Sequence, residues 1–265
     1  MKLKDAKACV LRVGGTNCDW EIKWVLEEMG LRTEILHMNQ AADKDLMNYQ
    51  LIVFPGGFSY GDYVRAGAIW SRELITKMGK KLESYIDDGR LVLGICNGFQ
   101  VLVEAGALPG DGKGLSGIPS AVLANNKSSK YECRWVRMKV EGTKTYFARS
   151  LKPGQIISIP VGHGEGRFLI GSEDGLESIM KNGQVVLRYA KEDGSYAEGA
   201  YPDNPNGSLM DIAAICNKEG NVMGMMPHPE RAFFGWQTPY AQMKGKKYAD
   251  GKAIFEGAIK YIESC

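Results

Sequence analysis

Histidine is scarce in this chain, with three among 265 residues, and the six cysteines form no Cys-x-x-Cys pair. A zinc ribbon or a disulfide framework is therefore not suggested, and unpaired, scattered cysteines fit a reducing compartment. Charge of one sign is lacking as well: 33 Lys+Arg against 31 Asp+Glu leave a formal net charge of +2. No broad basic field is available to concentrate nucleic acid or an anionic membrane surface, and short groups such as Lys244 to Lys247 read as solvated surface. No run approaches the roughly eighteen apolar residues of a membrane span, and the charged start from Met1 to Lys7 lacks the apolar core of a signal peptide. These absences point to a cytoplasmic protein with no nucleic-acid or membrane partner. A P-loop is missing too, so nucleotide triphosphate binding is not expected in this chain.

What is present is an ordinary globular composition, 44% hydrophobic and 24% charged, with 33 glycines that imply many tight turns or close backbone approaches. The length suits one large α/β domain with a single core, so residues 1–265 are expected to form one domain. Strand and helix signals alternate through the first 105 residues. An apolar run from Ala8 to Val13 ends at Gly14-Gly15, and Thr16-x-x-Asp19 reads as a capping box opening a helix with Ile22, Val25, Leu26 and Met29 on one face. Strand-like runs follow at Arg32 to His37, Leu51 to Phe54 and Leu91 to Ile95, with a helix from Gly67 to Asp88 between the last two. Such alternation predicts a doubly wound, mostly parallel sheet flanked by helices, whose ligands lie outside the carboxyl ends of the strands. Beyond Gly106 the pattern becomes strand-like pieces, at Tyr131 to Val140, Gln155 to Pro160, Gln184 to Ala190, Asp211 to Cys216 and Asn221 to Met226. They predict a mixed or antiparallel extension. A helix near Gly251 to Glu263 closes the chain, with Phe255, Ala258, Ile259 and Ile262 as its core-facing stripe.

Gly94-Ile95-Cys96-Asn97-Gly98 has the form of a nucleophile elbow between an apolar strand and a helix. Strand and helix can pass closely only if the positions two before and two after the nucleophile lack side chains. An isolated cysteine at a strand end can equally be a small buried apolar residue, so the pentapeptide alone leaves both readings open. His228 lies in Met226-Pro227-His228-Pro229-Glu230. The prolines favour extended backbone, which would put Glu230 on the same side as the His228 ring, able to fix its tautomer and stabilise an imidazolium. His163, in the glycine-dense stretch Gly162 to Arg167, is a rival base, while His37 at a strand end reads as structural. Attack on an amide needs backbone N–H groups aimed at the developing oxyanion, and Asn97 together with the Gly56-Gly57-Phe58 turn could supply them.

Six blocks carry a resemblance: Gly14 to Asp19 (GGTNCD), Gly56 to Ile69 (GGFSYGDYVRAGAI), Gly94 to Gln100 (GICNGFQ), His163 to Phe168 (HGEGRF), Asn204 to Ser208 (NPNGS) and Met226 to Ala232 (MPHPERA). In these the chain resembles the class I (triad) glutamine amidotransferases and, within them, the glutaminase subunits of phosphoribosylformylglycinamidine synthase. That resemblance implies Cys96 as nucleophile, His228 as acid/base, Glu230 as its orienting partner, and Gly57 and Asn97 as oxyanion donors. Gln100, His163 and Arg167 would lie near the glutamine pocket. It further implies hydrolysis of L-glutamine, with ammonia passed to a large synthetase subunit that acts on formylglycinamide ribonucleotide, and a small accessory subunit in the same complex. No metal or cofactor is implied in this chain; ATP and Mg would sit on the synthetase partner. Two departures are visible: the first loop reads Gly-Gly-Thr-Asn where the family has Pro-Gly-Ser-Asn, and the tail from about Phe234 is longer than in compact bacterial versions. A DJ-1-like or other cysteine-dependent hydrolase and a non-catalytic glutamine sensor are the competing classes.

Overall fold

The computed structural model describes residues 2–110, 112, 114–115, 117–142, 144–239 and 245–265; Lys244, in the basic group noted above, lies outside them, as does Met1. Among the described residues, six α-helices and eleven strands follow in chain order: β1 Lys7–Arg12, α1 Asp19–Glu28, β2 Arg32–His37, α2 Met38–Ala42, β3 Leu51–Phe54, α3 Ala68–Asp87, β4 Leu91–Ile95, α4 Asn97–Ala105, β5 Ala121–Ala124, β6 Glu132–Val140, β7 Ile156–His163, β8 Arg167–Ile170, α5 Glu173–Lys181, β9 Val185–Ala190, β10 Ile212–Cys216, β11 Val222–Met225 and α6 Lys252–Ser264.

Nine strands make one sheet in the order β2-β1-β3-β4-β11-β10-β9-β6-β7, and β5 pairs with β8 apart from it. The first five neighbours run parallel and the last four antiparallel. The reason lies in the side chains. Leu51-Ile52-Val53-Phe54 and Leu91 to Ile95 are buried at every position, as central strands covered on both faces must be. In β7, by contrast, burial alternates residue by residue, which suits a strand at the sheet's edge with one face covered. Phe255, Ala258, Ile259 and Ile262 of α6 are all buried in the core.

The parallel strands β1, β3, β4 and β11 all point the same way, so the loops that follow them gather at one edge. Those loops are Gly14 to Cys18, Pro55 to Ser59, the Cys96 turn and Met226 to Glu230. Four of the six motif blocks therefore meet by topology alone.

Three local expectations are corrected. The Thr16 hydroxyl accepts from the Val13 N–H at 3.1 Å instead of capping α1, which starts at Asp19 without a side-chain cap. β7 runs on to His163 and β8 begins at Arg167, so the glycine-dense stretch is a loop of only three residues, with His163 and Arg167 placed on strands of two different sheets. Glu230 belongs to a 3₁₀ turn, Pro229–Ala232, and not to an extended segment. The elements β5, β8, α2 and α5 were not foreseen; the two strands have four residues each and α2 five, too short for a clear period.

Candidate active site

Cys96 sits between β4 and α4 with φ 51° and ψ −108°, a conformation that non-glycine residues rarely adopt. Its neighbours make it possible. A Cβ on Gly98 would lie 1.8 Å from the Phe54 carbonyl oxygen, and one on Gly94 would lie 2.7 Å from the Gly98 oxygen, so strand and helix cross at a distance only glycine allows. The Cys96 sulfur lies 3.5 Å from the Gly162 carbonyl oxygen.

His228 follows β11, and its N–H donates to the Pro160 carbonyl at 2.8 Å, tying this loop to β7. The 3₁₀ turn then folds Glu230 back so that its Oε1 lies 2.6 Å from His228 Nδ1, with both side chains buried. The pairing expected from the sequence forms, but through a turn rather than through extended alternation. Gln237 braces that turn: its Nε2 donates to the Glu230 carbonyl at 3.0 Å, and its Oε1 accepts from the N–H groups of Phe233 and Phe234. Burial alone would pull the imidazole pKa down, yet the charges of Glu230 and Cys96 outweigh it and hold His228 well above the ordinary histidine value. His228 and Cys96 meet over Gly56, where a Cβ would come within 2.7 Å of His228 Cε1 and 3.4 Å of Cys96 Cβ.

Gly57 and Asn97 lie on the turns that follow β3 and β4. The bridge between Thr16 and Gly57 is closed by Phe58 N–H to Gly15 O at 2.9 Å and Asn17 N–H to Gly56 O at 3.2 Å. The Gly57 N–H is not consumed in that bridge. Asn97 is the first residue of α4, where N–H groups have no partner within the helix. Gly57 adopts φ +146°, and a Cβ there would lie 2.7 Å from both Asn17 N and Gly15 O.

The remaining site residues divide. Gln100 is buried with both ends of its amide engaged: Oε1 accepts from Asn97 Nδ2 at 2.9 Å, and Nε2 donates to the Glu165 carbonyl. His163 ends β7, buried, with Nδ1 3.1 Å from Asn126 Oδ1. Asn126 donates from Nδ2 to the carbonyls of Lys130 and His163, so its Oδ1 must accept and His163 Nδ1 carries the proton. Arg167 opens β8 with its stem against Gly207, and it makes no hydrogen bond or ion pair to Cys96, His228 or Glu230. His37 caps α2 by accepting from the Asn39 N–H at 3.2 Å, a structural role as expected.

Burial, then the charge of His228, pushes His163 from 6.5 down to about 3, which unsuits it as a base at neutral pH. The same shift has a consequence for stability. Below pH 6.5 the unfolded chain takes up a proton at His163 that the native protein refuses. Stability is therefore full above 6.5 and is lost as pH falls toward 3, by up to about 1.4 kcal/mol per pH unit. Thermal unfolding from pH 7 to 4 should show the advantage of the wild type over His163→Gln shrinking as pH falls; a constant difference would contradict the buried neutral imidazole.

Asn126 had no sequence signal, and Asn206 and Cys18 lay in motif blocks without an assigned role. Asn126 holds the β7–β8 loop by accepting from the Gly166 N–H at 3.1 Å, and Asn206 Nδ2 donates to the Gly166 carbonyl at 2.8 Å, which gives the NPNGS block a supporting role. Cys18 is buried, with its sulfur 4.0 Å from His228 Nδ1 and 3.2 Å from Arg231 Nη2, and burial pushes its thiol up to about 11. Cys18, His228 and Glu230 offer three ligand atoms within 4.8 Å of one another. The cluster suits a cation poorly, since Nδ1 is already engaged by Glu230 and the Arg231 guanidinium lies against the sulfur.

A family described as a CobB/CobQ-like glutamine amidotransferase domain matches residues 5–262. The chain belongs to this family. Within it, the amidotransferase is 44% identical over 276 residues to the phosphoribosylformylglycinamidine synthase subunit PurQ of Archaeoglobus fulgidus, covering 99% of each chain. It is 42% identical over 237 residues to the protein of the same name from Treponema denticola, covering 84% of this chain and 87% of that one. Among solved structures, PurLQS from Thermotoga maritima superposes with a TM-score of 0.73 at 34% identity, over 97% of this chain and 99% of the matched one. A glutamine amidotransferase from Thermotoga maritima, 14% identical with a TM-score of 0.57 over 97% and 98% of the two chains, shares the fold.

Proposed function

We propose that the amidotransferase is the glutaminase subunit of a phosphoribosylformylglycinamidine synthase, working through a Cys96-His228-Glu230 triad as one domain. The observation that carries this is the meeting of Cys96, on a strained turn, with a buried His228–Glu230 pair over Gly56. The near full-length likeness to PurQ proteins supports the choice of pathway.

Cys96 gives its proton to His228, and the sulfur attacks the side-chain carbonyl carbon of glutamine. The oxyanion that forms is received by the N–H groups of Gly57 and Asn97. The His228 imidazolium, steadied by Glu230, protonates the amide nitrogen as the C–N bond breaks, and ammonia leaves. A water molecule then gives a proton to His228 and attacks the thioester carbon; the C–S bond breaks and glutamate is released with Cys96 restored. Ammonia passes to a large synthetase subunit, which with ATP and Mg converts formylglycinamide ribonucleotide to its amidine, and a small accessory subunit completes the complex. Gln100 and His163 support the site rather than contact the reacting amide, and a cytoplasmic setting belongs to the same reading.

The test supplies amide-¹⁵N glutamine to the chain together with the synthetase subunit, ATP and formylglycinamide ribonucleotide. The label is expected in the amidine product, with one glutamate released per product. Glutamate release without label transfer would leave only a cysteine-dependent amidohydrolase, and no release under any condition would leave a glutamine-binding sensor.

A further inference from the structure

We propose that Glu165 is a positioning residue that fastens the oxyanion donors in place, an inference that rests on the glutaminase reading. Glu165 lies in the loop between β7 and β8, outside the triad, and engages two other segments. Its side-chain Oε2 accepts from the Ala66 N–H at 3.0 Å, and its main-chain carbonyl accepts from Gln100 Nε2. From Gln100 the chain of bonds continues: Gln100 Oε1 accepts from Asn97 Nδ2 at 2.9 Å, and Asn97 Oδ1 accepts from the Ser59 N–H at 3.2 Å. One connected set thus joins the nucleophile turn, both ends of the segment from Ser59 to Ala66, and the β7–β8 loop.

The segment so held begins two residues after Gly57. Within it Tyr60, Asp62 and Val64 have φ of 54°, 54° and 71°. Left-handed backbone costs a non-glycine residue about 1–2 kcal/mol, and a β-branched residue such as Val64 is a genuine outlier there, so the segment keeps this shape because it is restrained, at its ends and at Tyr60, whose N–H donates to the Gly14 carbonyl at 2.8 Å. Ser59 is fixed through Asn97, whose own N–H is one oxyanion donor. Arg65, beside Ala66, is tied to Glu104 of α4 at 2.7 Å. Releasing Ala66 loosens the far end of this strained segment, leaving only the Arg65–Glu104 tie there, and the segment follows directly on the turn that carries the other donor, Gly57. Glu165 thereby sets the spacing between the two donors without touching glutamine.

The test is steady-state glutamate release, with Cys96 alkylation by iodoacetamide followed alongside. Alkylation needs the nucleophile but forms no oxyanion. Glu165→Ala should lower kcat by about 10- to 100-fold with KM within about threefold, the cost of a displaced oxyanion donor. Glu165→Gln keeps an acceptor oxygen in reach and should restore kcat to within about threefold, with alkylation within about twofold of wild type in both variants. Should Glu165→Ala fail to fold, Glu165→Asp, which withdraws the acceptor by one methylene, should show the same loss of kcat. The proposal is overturned if kcat survives in the Ala or Asp variant, if Gln fares as badly as Ala, or if alkylation falls in step with kcat. Glutamate release that persists in Cys96→Ala would instead overturn the underlying glutaminase reading.

Discussion

Cys96→Ala is expected to lower glutamine hydrolysis by about 10⁴-fold or more while leaving the fold intact. At 1.36 kcal/mol per tenfold, that is a loss of about 5 kcal/mol of transition-state stabilisation. The size follows from the chemistry: without the sulfur no thioester forms, and water must attack an unactivated amide. In the proposed mechanism the oxyanion donors are backbone groups, of Gly57 and Asn97, which the substitution leaves in place, so glutamine binding should change little. Structurally the substitution is mild, because alanine has the same Cβ and the φ of 51° is no worse for it than for cysteine. Two measurements separate the possibilities. The variant should unfold within a few degrees of wild type, and its complex with the synthetase subunit should still make product from ammonium chloride. Loss of the ammonium-driven reaction as well would mean that Cys96 matters to the assembly rather than to glutamine.

The strained turn at Cys96 was readable because much of its constraint is local. Gly94 is demanded by Gly98, four residues on, whose oxygen a Cβ would meet at 2.7 Å; Gly98 is demanded also by Phe54 of the neighbouring strand, whose oxygen a Cβ would meet at 1.8 Å. The five-stranded parallel half was readable for a similar reason, since fully covered strands must be apolar throughout. The His228–Glu230 pair was anticipated with the wrong backbone; a two-residue spacing brings side chains together in a strand, but here a short 3₁₀ turn does so, and Gln237, seven residues on, stabilises it. What escaped were the long-range supports. Asn126 reaches His163 across 37 residues, and Cys18 approaches His228 across 210. Neither Asn126 nor Cys18, though Cys18 sits in the GGTNCD block, has a spacing that announces such a contact. Gln100 was expected near the glutamine pocket as part of a motif, but nothing in the sequence announced that its amide joins Asn97 to Glu165.

Glu230→Gln is expected to cost about 10³- to 10⁴-fold in kcat with little change in KM, by the logic of an orienting carboxylate in a buried triad. Glu230 is almost fully buried, and Arg231 Nε lies 4.0 Å from its Oε1, so its charge falls chiefly on the imidazole 2.6 Å away. A glutamine amide at the same place can turn its NH₂ toward Nδ1 and impose the wrong tautomer, and in either orientation it no longer steadies the imidazolium. The pH dependence should report the same loss. Burial opposes the charged ring, and Glu230 is the larger of the two charges that overcome it; removing that charge lowers the His228 pKa. The alkaline limb of the rate profile should therefore move to lower pH. Stability gives an independent sign: a histidine raised above its unfolded value stabilises the native state below about pH 6.5, an advantage lost as pH rises through the folded value. The deficit of Glu230→Gln in thermal unfolding should accordingly be largest at acid to neutral pH and shrink as the solution becomes alkaline. An unshifted alkaline limb together with a pH-independent stability deficit would show that Glu230 serves packing rather than the charge on His228.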